Sequence, residues 1–278
     1  VRSAGGRGVE PRMGLGRALR SEALRLRRSP LVALHAACGL AGGFVCGAYF
    51  SVSAWDPALG ADAYVQLLGA MMPLMAGISC GLAVDEERRA GRMANLTGAP
   101  ARGSAILAKW AALVAMGAAA LALAVGTFAA LLALAGRLTL GAGPLALSWA
   151  LCVLASAPLY ALLLALALRL GRNAAIGVGA VGLLCAFFSV GGLAHGLMTG
   201  ELTGAAPGGV FALVPFAWPA RLASLGVEAA IAAPRSGLAA QVANATLVTG
   251  TASALLCAAG ACALALWFRG FEEGRADA

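Results

Sequence analysis

The chain has 278 residues, of which 61% are hydrophobic and 12% charged, with a mean hydropathy of +0.86. Soluble domains carry about 45–50% apolar and about 25% charged residues, so this composition excludes a water-soluble enzyme or binding module and points to one integral membrane domain. The formal charge of +8 sits beside apolar runs without interleaved aromatic rings, which sets aside nucleic acid and makes anionic membrane lipids the partner of the basic residues.

Residues 1–12 are Gly- and Arg-rich, lack periodicity and read as a disordered tail, with translation expected to start at Val1 or at Met13. No cleavable signal is evident. From Leu15 to Arg28, helical spacing places Leu15, Ala18, Leu19, Ala23 and Leu26 on one side and Arg17, Arg20, Arg27 and Arg28 on the other, the pattern of a helix lying in the membrane interface. Glu22 falls on the apolar side; Arg25 is its nearest candidate partner, in an expected surface ion pair.

Pro30 turns the chain into a first span over 31–50, about the length of one bilayer crossing. Gly39, Gly43 and Gly47 recur every fourth residue, a stripe that lets helix backbones approach closely, either within the subunit or between two subunits. His35 is expected to be a neutral imidazole bonded to a backbone carbonyl. A second span follows at 63–84, with Gly69, Pro73, Gly77 and Gly81 as its own stripe and Pro73 as a predicted kink. Gln66 on this span is assigned either to substrate or to an interhelical hydrogen bond.

The charged stretch from Asp85 to Lys109 comes next. Ala90, Met93, Ala94 and Thr97 lie at i, i+3, i+4 and i+7, so one helix would gather them on a face away from Arg88, Arg89, Arg92 and Asn95. Such a helix is either a docking element or a solvated connector. Spans three to six are predicted at 105–135, 144–170 with a kink at Pro158, 173–198, and 243–268. The Pro-broken segment 199–241 between the last two is too interrupted to cross the bilayer, and Trp218 suits an interfacial anchor. All but Arg137, Arg221 and Arg235 of the 20 basic residues fall on one side of this arrangement, which predicts cytoplasmic termini. The sixth span carries Asn244, Thr246, Thr249 and Thr251 in its outer half, and residues 271–278 form a polar cytoplasmic tail. The seven cysteines lie in apolar runs with no C-x-x-C and read as small apolar fillers, with no metal implied.

Glu86, Glu87, Gly91, Pro100, Arg102 and Lys109 resemble the first cytoplasmic loop of ABC-2 type ABC-transporter permeases. Within that class, Ser21, Glu22, Arg28, Ser29, Pro30, Tyr49, Phe50, Ser51 and Trp55, followed by Tyr64, Gln66 and Pro73, look most like the lantibiotic-protection permeases. The likeness covers roughly the first 110 residues, and beyond them only the pattern of spans. The run from Pro215 to Leu222 looks similar to the re-entrant element that related exporters place before their last span. The resemblance implies an all-α fold with six transmembrane helices, an N-terminal interfacial helix and a cytoplasmic coupling helix, forming a permease domain over 13–270 in the cell membrane. It also implies that Glu86, Glu87, Arg88, Ala90, Gly91, Met93, Ala94 and Thr97 couple to a cytoplasmic ATPase, that a second permease subunit completes the path, and that the cargo is a membrane-bound peptide; small hydrophobic drugs or lipids are the alternative. Gln66, Asn244, Thr246, Thr249 and Thr251 are the candidate substrate path.

A phosphate-cradling loop needs G-x-x-x-x-G-K followed by Ser or Thr, and the single lysine, Lys109, follows Ala108. ATP and Mg are therefore expected on a separate chain, and none on this one. A Glu-Glu-x-x-x-Arg protease signature fails at Gly91. Ion-coupled transport lacks an obvious mid-membrane carrier, since acidic residues are read only at span ends, and a membrane scaffold is the remaining alternative.

Overall fold

The computed structural model describes residues 14–91, 93–189, 195–206, 210–233 and 236–272. The tail expected at 1–12, Arg92, Arg235 and residues 273–278 lie outside the described residues. Those described are helical with connecting turns: α1 (Leu15–Leu26), α2 (Pro30–Val52), α3 (Pro57–Gly91), α4 (Ala94–Thr97), α5 (Arg102–Leu134), α6 (Ala142–Leu170), α7 (Arg172–Ser189), α8 (His195–Thr199), α9 (Trp218–Ala232) and α10 (Ser236–Arg269). Six of these, α2, α3, α5, α6, α7 and α10, are long and apolar enough to cross a membrane, as the hydropathy pattern predicts.

Local chemistry starts and stops these helices where the apolar periodicity does. Ser29 caps α2 by accepting the Leu31 amide, with Pro30 in the first turn. Asp56 does the same for α3, accepting from the Ala58 and Leu59 amides. The junction of α6 and α7 is one residue, Gly171, whose φ of +90 is left-handed and open to glycine without strain.

α3 and α6 form the core: 61% and 67% of their spanning windows are buried, against 17% for α10. α7 and α9 pack on α3, α9 also packs on α6 and α10, and α2 lies along α5. The glycine stripes explain this closeness. A Cβ on Gly77 would lie 2.6 Å from the Ala175 carbonyl oxygen of α7, and one on Gly69 would collide with the backbone at Ala220 of α9. α3 runs as one helix through Pro73, whose carbonyl abuts Gly179 of α7.

Of the fifth span expected at 173–198, α7 is described to Ser189 and α8 from His195, with 190–194 outside the described residues. The segment expected at 199–241 contains a packed helix, α9, which lies against α3, α6 and α10 with Leu222, Leu225 and Val227 fully buried. The outward faces of α2, α7 and α10 expose Phe44, Val45, Val181, Leu247 and Leu255, as lipid-facing surfaces do.

Candidate functional site

At the basic end of the bundle, α1 lies against α5 and turns Glu22 inward, to 7% exposure. Arg25 Nη1 stands 2.8 Å from Glu22 Oε1 and 2.8 Å from Glu87 Oε1. Lys109 Nζ donates to Glu22 Oε2 at 3.2 Å and also to Glu87 Oε1, while Asn95 Nδ2 reaches Glu87 Oε2 at 3.3 Å. Two acids and two bases thus alternate around one buried centre beside a cavity of about 180 Å³, and each charge has its desolvation offset by more than one partner. The expected surface pair of Glu22 and Arg25 is half of this buried network. Lys109 is the member that sequence reasoning left without a role; its one available signal was being the single lysine, at the head of a span.

The same end of α3 is tied to its other neighbours. Ser29 Oγ donates to Glu86 at 3.0 Å, Arg88 Nη2 donates to the Leu168 carbonyl of α6 at 2.9 Å, and Asp85 pairs with Arg172 of α7 at 3.1 Å. Glu86, Glu87 and Arg88 are therefore spent on joining helices inside the chain.

The continuous helix predicted for Glu87 to Thr97 is broken. α3 carries on to Gly91, whose φ is +154; Met93 takes φ +61, and α4 is a separate turn. A non-glycine residue in the left-handed region costs roughly 1–2 kcal/mol. Here Met93 is held there by burial to 1% exposure, with Leu96 beside it in sequence at 0%. The Met93 carbonyl collects the Leu96 and Thr97 amides and the Thr97 hydroxyl. Met93 is consequently not on a docking face and Thr97 is half-buried, while Ala90, Gly91 and Ala94 are exposed.

The Gly39, Gly43 and Gly47 stripe meets α5. A Cβ on Gly39 or Gly43 would lie 2.5 Å from the carbonyl oxygen of Ala120 or Ala124, and one on Gly47 would lie 2.8 Å from Leu131. This face is occupied within the chain rather than between subunits.

Toward the opposite end, a second buried polar cluster joins α3 to α9. Gln66 Nε2 approaches Asp62 Oδ2 at 2.9 Å, Thr203 Oγ1 at 2.7 Å and Ser224 Oγ at 3.1 Å, and Ser224 donates to Asp62 Oδ1 at 2.6 Å. Glu228, fully buried, accepts the Gly204 and Ala205 amides at 2.7 and 2.9 Å. Burial pushes its carboxyl up from the usual range, against the pull of those amides, Ser224 and Arg221. Gln66 thus bonds between helices and is 2% exposed. Sequence reasoning missed Asp62 and Glu228 as a pair, because 166 positions of chain separate them and only the packing of α9 on α3 brings them together.

Of the other path candidates, Asn244 and Thr251 are exposed on one face of α10. Thr249 is buried, and Thr246 returns its hydroxyl to the Val242 carbonyl at 2.8 Å. The four do not share a face. His35 is buried, with Nδ1 2.8 Å from the Leu31 carbonyl oxygen and Nε2 2.8 Å from Ser79 Oγ, so both ring nitrogens have partners. In comparisons with known proteins, neither a family model nor a curated protein matches this chain.

Proposed function

We propose that this chain is the membrane-spanning subunit of an ATP-driven exporter of the ABC-2 type. In this reading it sits in the cell membrane with both termini cytoplasmic, beside separate ATPase subunits that bind ATP and Mg and beside a second permease subunit. Its cargo is a lantibiotic-like amphipathic peptide taken out of the membrane. One observation carries the reading: the charged centre of Glu22, Arg25, Glu87 and Lys109 ties a turn with exposed Ala90 and Ala94 to α1, α3 and α5. A push on that turn by a closing ATPase would reach two spans and the interfacial helix through short ionic contacts rather than through a loose loop.

The test is expression with an ATPase and a partner permease in a sensitive host, with resistance measured across lantibiotics, other membrane peptides and small hydrophobic drugs. ATPase-dependent resistance to peptides is expected. Resistance confined to small drugs overturns the peptide cargo and leaves the ABC-2 reading in place. A second reading, ion-coupled transport, draws on the buried Asp62 and Glu228 beside Ser224. Resistance that survives inactivation of the ATPase and vanishes when the proton gradient is collapsed would favour it.

A further inference from the structure

Where α5 begins and α10 ends, at the basic end of the bundle, a cavity of about 430 Å³ is walled by the turn from Ala99 to Ser104 with Leu107, and by Ala265 and Arg269. Two arginines line it and no carboxylate does. Arg102 Nε donates to the Thr97 carbonyl at 2.7 Å and Nη1 to the Phe271 carbonyl at 3.2 Å. Both acceptors are neutral, so these bonds fix the guanidinium in place and leave its charge uncompensated. Arg269 comes in from the last turn of α10. Its Nε stands 3.5 Å from where a Cβ on Gly103 would be, which lays the second guanidinium over the first turn of α5.

The acids at this end of α3 are committed elsewhere: Asp85 to Arg172, Glu86 to Ser29 and Glu87 to the Lys109 centre. Glu272, three residues after Arg269, does not line the cavity. Two like charges brought to one concavity repel unless an anion stands between them, and paired guanidiniums match the oxygens of a phosphate group. The two arginines make the site; α5, which starts without a side-chain cap, adds the partial positive charge of its first turn. The level of the cavity favours a lipid as the source of the phosphate. Its apolar lining, Leu107 and Ala265, continues into the lipid-facing surface of α10 at Leu266, 61% exposed. Trp267, 37% exposed, precedes Arg269 by two residues, and an exposed tryptophan in the last turn of a span marks the headgroup level. The sequence hands the basic residues to anionic lipid as a group, whereas the fold brings these two together.

We infer that this cavity binds the phosphate group of an anionic phospholipid, with Arg102 and Arg269 as its ligands. The site is independent of which cargo the protein carries and needs only a chain that crosses a membrane. The protein, purified in detergent, is titrated with phosphatidylglycerol and with phosphatidylcholine of the same acyl chains, and retained lipid is counted by native mass spectrometry. One phosphatidylglycerol held in preference to phosphatidylcholine is expected. Arg269→Gln changes an exposed side chain and weakens that retention about tenfold, the loss of one charge-assisted hydrogen bond; Arg269→Lys restores part of it. Arg169→Gln removes an exposed charge at the end of α6 and leaves retention unchanged. Equal weakening by the two Gln variants means diffuse attraction and overturns the site, as does equal retention of the two lipids. Titration with inorganic phosphate alone gives no binding; saturable phosphate binding that Arg269→Gln abolishes, without any preference between the lipids, overturns the lipid as its source.

Discussion

Lys109 of α5 sits between Glu22 of α1 and Glu87 of α3, and closes at one point three helices that the chain visits far apart. With Lys109 and Glu87 side chains only 7% and 6% exposed, neither charge has water to fall back on. Lys109→Met keeps the aliphatic stem but leaves two buried carboxylates to Arg25, and is expected to cost about 3–5 kcal/mol. The double variant Lys109→Met with Glu87→Gln removes both halves and should recover part of that loss. Chemical unfolding of the purified protein measures the cycle, and strictly additive single effects would show that the two groups do not interact.

Neighbouring glycines on α2 should behave in opposite ways. Gly43→Ala places a methyl 2.5 Å from the Ala124 carbonyl oxygen, so α2 and α5 must part, at an expected cost of about 1–3 kcal/mol. Gly42→Ala meets nothing and should be neutral or stabilising by up to about 1 kcal/mol. Thermal stability of the two variants decides, and equal tolerance at both positions would return the Gly39 to Gly47 stripe to a role between subunits.

Gln66→Leu separates interhelical bonding from substrate contact. Loss of the amide strips Asp62 Oδ2 of a donor inside the bundle and should destabilise the fold by about 1–3 kcal/mol. The spectrum of cargo resisted should stay the same for each molecule that folds. A changed spectrum with unchanged stability would place Gln66 on the transport path.

The docking of an ATPase is tested at the turn after α3. Met93→Asp would bury a charge in the chain itself and confuse docking with folding, whereas Ala90 and Ala94 are exposed. Ala90→Asp with Ala94→Asp should therefore leave membrane insertion and stability intact while abolishing ATPase-stimulated resistance and co-purification of the ATPase. Unchanged co-purification would move the docking surface elsewhere.

The six spans were legible because each is a local sum: about twenty apolar residues suffice to pay for a crossing wherever the rest of the chain goes. Helix starts at Ser29 and Pro30 were legible for the same reason, since a cap and its amides are neighbours. The helix drawn through Ala90 to Thr97 failed because spacing ranks faces and is blind to a left-handed residue; the burial of Met93 and Leu96 overrode the periodicity.

The sequence alone determined that the chain is built of apolar helices, that six of those described are long enough to cross a membrane, and which residues have no alternative but to lie near their ends. Tertiary structure decided which faces meet. Glu22 is 87 residues from Lys109, and Gln66 is 158 from Ser224. Over such distances no periodicity links the partners, and a polar residue near a helix end reads the same whether it faces water or a buried opposite charge. Only the packing of α1 on α5, and of α3 on α9 at Gly69 where no side chain fits, brings those groups within hydrogen-bonding reach.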